Sequence, residues 1–114
     1  MVEGIDPADT RVRPFIRLHA TFVSEISIVE ALGFHRLRDI DRIGLEMFFA
    51  NCRLLSVDRS VIQSATGLRQ KRKMSLGDSL IAATALTHGL TLATHNAADF
   101  HTIDALIVID PLAT

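Results

Sequence analysis

The sequence predicts an α/β layered fold: three layers, α/β/α, built on a mainly parallel sheet covered on both faces. Short apolar, β-branched runs alternate with longer stretches of helical periodicity from Phe22 to Ile109. No apolar run approaches the roughly 18 residues that cross a bilayer. The 114 residues, 48% apolar and 22% charged, make one globular domain with a single core, spanning 1–114. Alternation of strands with helices favours parallel pairing, because each crossover helix covers a face of the sheet as it returns.

Asp9 or Thr10 can cap a first helix with Val12, Phe15, Ile16 and His19 on its apolar face, Pro14 being tolerated in the first turn. Phe22 to Ile26 reads as a strand and Ser27 to about His35 as a helix. Asp39 to Ala50 is a second helix, with Ile40, Ile43 and Met47 on one face. Arg53 to Val57 is a strand, and Val61, Ile62, Ala65 and Leu68 give the next helical stripe. Ser75 starts an Ala-rich helix that runs to His88, with Gly89 placed as its left-handed cap. Leu90 to Thr94 and Ala105 to Ile109 complete the chain as strands. There is no internal repeat, low-complexity tract or linker.

A net charge of −1 gives no general attraction to nucleic acid, but the charges are segregated. All twelve Lys and Arg lie at or before Lys73, whereas Asp78, Asp99, Asp104 and Asp110 follow it. Carboxylates without basic partners suit a hard cation, and equally suit a solvated surface. The start, Met1-Val2-Glu3-Gly4, lacks the basic-then-apolar pattern of a signal peptide, and the lone Cys52 cannot form an internal disulfide. A cytoplasmic protein that does not enter a membrane is expected.

Three segments place an acid three residues after a capping residue: Ser27-Ile28-Val29-Glu30, Ser75-Leu76-Gly77-Asp78 and Asn96-Ala97-Ala98-Asp99. Taken singly, each is explained by helix capping and the dipole of a first turn. Two of the three follow predicted strands, however, so the acids should meet at one edge of the sheet, where ligands bind in such folds. Carboxylates gathered there repel unless protonated or bridged by a cation. Mg²⁺ or Mn²⁺ meets that need and brings phosphate oxygens to the cluster, which points to phosphodiester chemistry.

These residues resemble the PIN-domain nucleases, in particular the VapC-type toxins of bacterial and archaeal toxin–antitoxin pairs. The likeness runs from about Thr10 to Pro111 and rests on an acid in the helix after the second strand (Ile26 to Gly33), a second opening an Ala-rich helix (Asp78 to Ala85) and a third after the next strand (Leu92 to Phe100). It implies that Glu30, Asp78 and Asp99 belong to an acidic quartet that binds Mg²⁺ or Mn²⁺ and cleaves RNA. Thr94 and Asn96 would be polar helpers, while His95 stands where many relatives carry Arg. It further implies a homodimer and a VapB-like antitoxin that brings Arg or Lys to Glu30 and Asp78.

The family opens on a central strand ending in Asp-Thr-Asn or Asp-Ser-Ser, whose Asp is a principal metal ligand. Here Met1 to Pro7 reads as a loop, so the expectation is a PIN-like domain incomplete at its N-terminus, lacking the first strand and first Asp, with Met1 an internal start of a longer reading frame. Asp6 and Asp9 are poor substitutes because they fall in a loop or helix start.

Arg69, Lys71, Arg72 and Lys73 can flank a phosphate channel or simply complement the end of the preceding helix, and Arg36, Arg38 and Arg42 form a second patch. With no Trp or Tyr, base stacking contributes little. Two other readings stay open. One is a catalytically inactive PIN scaffold or truncated product that only binds partners. The other is a receiver-like domain that accepts phosphate on Asp58, at the end of Leu54-Leu55-Ser56-Val57.

Overall fold

The computed structural model describes residues 1–5, 9–12, 14–15 and 21–112. In chain order its elements are β1 (Val2–Glu3), β2 (Phe22–Ser24), α1 (Glu25–Leu32), α2 (Asp39–Ala50), β3 (Arg53–Leu55), α3 (Arg59–Lys71), α4 (Leu76–Thr87), β4 (Leu92–Thr94) and β5 (Val108–Ile109). A 3₁₀ turn at Ala97–Asp99 follows β4. The mixed α/β class is as expected, and every strand pair is parallel. Of the helix expected after Thr10, Val12 is buried, whereas Ile16 and His19 lie outside the described residues.

The N-terminus departs from expectation. Val2 and Glu3 are not loop but strand, in register with Ala93 and Thr94 of β4. The Ala93 N–H donates to the Met1 carbonyl at 2.8 Å and the Met1 ammonium to the Thr91 carbonyl at 2.8 Å. Strands β1, β4 and β5 form one ladder and β2 with β3 another, with β1 lying beside β2. The central strand expected to be absent is thus present as a two-residue strand, and it ends in Glu rather than Asp. Two residues carry too little periodicity to declare themselves.

Helix boundaries follow the caps. The Ser24 side chain accepts from the Ile26 N–H at 3.1 Å, so α1 begins at Glu25 and the strand before it stops at Ser24. Ser27, the expected cap, is buried inside the helix with its hydroxyl unpartnered. Ser75 caps α4 as expected, accepting from the Asp78 N–H at 3.1 Å. At the other end Gly89 takes φ +63° and the Leu90 N–H returns to the Ala85 carbonyl, a left-handed close. Ala105, read as strand, sits at φ 67° in a turn, which delays β5 to Val108.

Helix α4 is rich in small and apolar residues and carries the most buried residues of the described helices, with Ile81, Ala82, Ala83 and Ala85 shielded from solvent. Ile81, Ala82 and Ala85 pack with Met1, Leu92, Phe100 and Ile103. Ala83 meets Val61 and Ala65 of α3, the small residues letting the two helices approach. Phe100 and Ile103 also anchor the loop that carries Asp99.

Candidate acidic site at the strand ends

Glu3 ends β1, with Glu30 on α1, Asp78 in the first turn of α4 and Asp99 on the 3₁₀ turn after β4. Their charges act on one another. Burial pushes the Glu3 carboxyl above its usual range; a hydrogen bond from Thr94 opposes this, while Glu30, Asp78 and Asp99 push it further. Glu30 is raised by burial and by Asp78. Asp78 is raised by burial, against a lowering hydrogen bond at Ser75, and raised again by Asp99. Among the described residues, no Lys or Arg relieves any of the three.

Glu30, Asp78 and Asp99 each act electrostatically on Glu3 and so share its neighbourhood. Glu3 is the member sequence reasoning missed. Its only local signal is an acid directly after Met1-Val2 and before Gly4, a glycine with φ +62°. Gly4 takes the chain past Asn96, whose amide nitrogen would lie 3.1 Å from a side-chain carbon there. Thr94, fully buried, donates its hydroxyl to Glu3 Oε2 at 3.1 Å and accepts the Asn96 N–H at 3.0 Å, so both expected polar helpers adjoin the first acid.

Other candidates fall away from this group. Asp9 is held by Arg11 at 2.7 Å and its carboxyl drops to about 2, chiefly through Arg11 side-chain and backbone hydrogen bonds; Asp6 lies outside the described residues. His95 Nδ1 lies 3.0 Å from Asp110 Oδ1, tying the end of β4 to the segment after β5. Asp58 accepts the Val61 N–H at 3.0 Å and caps α3, so the proposed phosphoacceptor carboxylate has a structural task. Arg72, placed in the basic cluster, donates to the Thr102 carbonyl at 2.7 Å and buries its Nε; it braces the approach to α4 against the loop after Asp99. Arg69, Lys71 and Lys73 remain exposed. In the second patch Arg38 pairs with Asp41 and Arg42 with Asp39 and Glu46.

A donor set made only of carboxylate oxygens suits a hard divalent cation, which would relieve the repulsion. Among the described residues, no three His, Cys, Asp or Glu side chains form a group that could hold a metal ion as they stand. The donor chemistry fits such an ion, whereas the spacing is open.

Three solved structures illustrate the likeness of fold. One is VapBC2 from Rickettsia felis bound to a promoter DNA fragment (20% identity, 96% of each chain covered, TM-score 0.81). Another is VapBC-1 from nontypeable Haemophilus influenzae (17%, 99% of this chain and 100% of that one, 0.78). The third is FitAcB from Neisseria gonorrhoeae (22%, all of both chains, 0.75). No curated protein matches the chain. The PIN domain family model matches residues 3–106, from the acid that ends β1 to beyond the loop of Asp99, and the chain belongs to that family.

Proposed function

We propose that this chain is a cytoplasmic Mg²⁺- or Mn²⁺-dependent endoribonuclease of the VapC type, the toxin of a type II toxin–antitoxin pair. The observation that carries it is the gathering of Glu3, Glu30, Asp78 and Asp99, three of them raised with no basic group among the described residues to relieve them. These four would hold the metal, which when bound supplies an activated water and neutralises the phosphate. Thr94 orients the Glu3 carboxylate and Asn96 holds the Thr94 hydroxyl. Lys71 and Lys73, exposed ahead of α4, would meet the RNA backbone.

The test is RNA cleavage by this chain in Mg²⁺ or Mn²⁺ beside Asp78→Asn, with both shown to be folded by circular dichroism. Cleavage that falls at least about 100-fold in the variant is the expected result. A folded, metal-supplied chain that leaves RNA intact, or a variant that cuts as well as its parent, defeats the reading.

Solved structures of similar fold include a toxin–antitoxin complex and a member of the VapBC family of toxin–antitoxin systems, and the reading extends to a VapB-like antitoxin and a homodimer. A groove of about 1020 Å³ beside Glu3, lined by Val23, Ala31, Leu45 and Phe48, offers an apolar seat for the antitoxin, whose Arg or Lys would then reach the acids. A co-purified partner that leaves metal access unchanged would count against this assignment. The second reading, an inactive PIN scaffold, is favoured by the open spacing of the acids. Mn²⁺ titration separates the two, since a scaffold has no need to bind the ion.

A further inference from the structure

Three helices carry an internal glycine, Gly44 in α2, Gly67 in α3 and Gly77 in α4, and only one has a neighbour where its side chain would be. Around Gly44 and Gly67 no described residue lies within 4 Å of an added carbon. A side-chain carbon built on Gly77 overlaps Glu30 Oε1 and comes within 3.2 Å of its Cδ. Gly77 does not have a positive φ, so its backbone does not require glycine, and glycine weakens a helix relative to alanine.

We propose that Gly77 is a positioning residue: its missing side chain leaves the space in which the Glu30 carboxylate rests against the first turn of α4, beside Asp78, and so sets how these two acids face a divalent cation. The positive end of the α4 dipole favours a carboxylate there. Asp78, the next residue, has its N–H capped by Ser75, which fixes the turn that Glu30 approaches. The obstructing atoms belong to the far end of a flexible, exposed side chain. An added methyl would therefore displace Glu30 without disturbing the backbone.

The inference rests on the metal-nuclease reading, and its test separates the two. Mn²⁺ binding, followed by electron paramagnetic resonance, is compared in the unsubstituted chain, Gly77→Ala, Gly67→Ala, Glu30→Ala and Gly77→Ala/Glu30→Ala, with Tm recorded for each. Gly77→Ala is expected to keep or raise Tm, as Gly67→Ala does, while losing about 10–100-fold in Mn²⁺ affinity. Once Glu30 is removed, the Gly77→Ala change should alter affinity by less than about twofold. Unchanged affinity in Gly77→Ala, or the same loss with Glu30 absent, overturns the proposal. If the unsubstituted chain neither binds Mn²⁺ nor cuts RNA, the nuclease reading fails. The placement is then decided by the nuclear Overhauser contact between Gly77 Hα and Glu30 Hγ, whose presence retains it and whose absence ends it.

Discussion

Helices α2 and α4 are each twelve residues long and meet opposite surroundings. Helix α4 buries Ser79, Ile81, Ala82, Ala83, Thr84 and Ala85, whereas α2 has no buried residue and leaves Ile40, Ile43 and Met47 exposed. An apolar stripe is therefore no guarantee of a core position. Ala83 lets α4 lie close to α3 while Ile81, Ala82 and Ala85 pack with Leu92 of the sheet, and the stripe of α2 finds no equivalent cover within the described residues. Charge divides them too. The acids of α2 each have an arginine within 4 Å, while Asp78 faces other acids.

The largest effect should come from cutting the same side chain in the two helices. Ile81→Ala removes a fully buried residue of the main core and is expected to cost about 2–5 kcal/mol. Ile40→Ala, at a position 74% exposed, should stay within about 0.5 kcal/mol. Urea unfolding of the two variants decides it. An equal cost would break the contrast and mean that α2 is covered in solution by another chain.

A smaller loss is expected where a sequence-level candidate turned out to be structural. Asp58→Ala removes the cap of α3 and should cost about 0.5–2 kcal/mol. Acetyl phosphate should label neither the parent nor the variant; labelling that disappears with Asp58 would reinstate the receiver-like reading for that strand end.

Much of this contrast was legible beforehand, and the failures have identifiable causes. Both helices were placed to within about a turn because twelve residues hold three periods of the pattern. Ser75, Asp78 and Gly89 were legible because a cap, a first-turn acid and a left-handed close are local chemistry. That α2 stays exposed was not legible, since its stripe looks the same whether or not it meets a partner. Val2–Glu3 escaped because its pairing partners lie 91 residues away, at Ala93 and Thr94. The N-cap of α1 differs from expectation for a related reason: Ser24 and Ser27 are both serines able to cap, and only the end of β2 decides between them. Glu30, Asp78 and Asp99 were found as separate motifs, whereas their mutual repulsion needed the fold.

That repulsion sharpens the difference in charge through pH. The folded carboxyls of Glu3, Glu30 and Asp78 lie above their ordinary values of 4.5 and 3.8, so the native state holds more protons than the unfolded one across the window from those values upward. Stability should fall as pH rises through that window. The Tm of the metal-free chain should rise as pH is lowered toward those ordinary values, and Mg²⁺ added on the alkaline side of the window should restore part of the gain. Asp9 and Asp110 act in the opposite sense. Their lowered carboxyls contribute above 3.8, and that contribution disappears as pH falls below it. Asp78→Asn should flatten the decline above pH 3.8 while leaving the loss below it. A metal-free Tm that stays flat or climbs as pH rises from those ordinary values would show that the acids do not oppose one another in solution.

The smallest expected effect concerns the arginines of α2 against the lysines ahead of α4. Arg38 sits 2.8 Å from Asp41, and Arg42 sits 3.2 Å from Glu46. Replacing either with Ala removes a cation whose charge is already matched on its own helix, so RNA affinity should keep its dependence on salt. Lys71 and Lys73 stand exposed with no acid of α4 beyond Asp78 to match them. Each Lys→Ala there should reduce the slope of log K against log salt by about 1 if it contacts a phosphate, with a nearly uniform loss across RNA sequences. Filter binding of a single-stranded RNA to the Asp78→Asn chain, over a series of salt concentrations, reads both sets without cleavage. A slope that drops with Arg38 or Arg42 and not with the lysines would move the nucleic-acid track from α4 to the outer face of α2, making that exposed stripe part of the substrate groove.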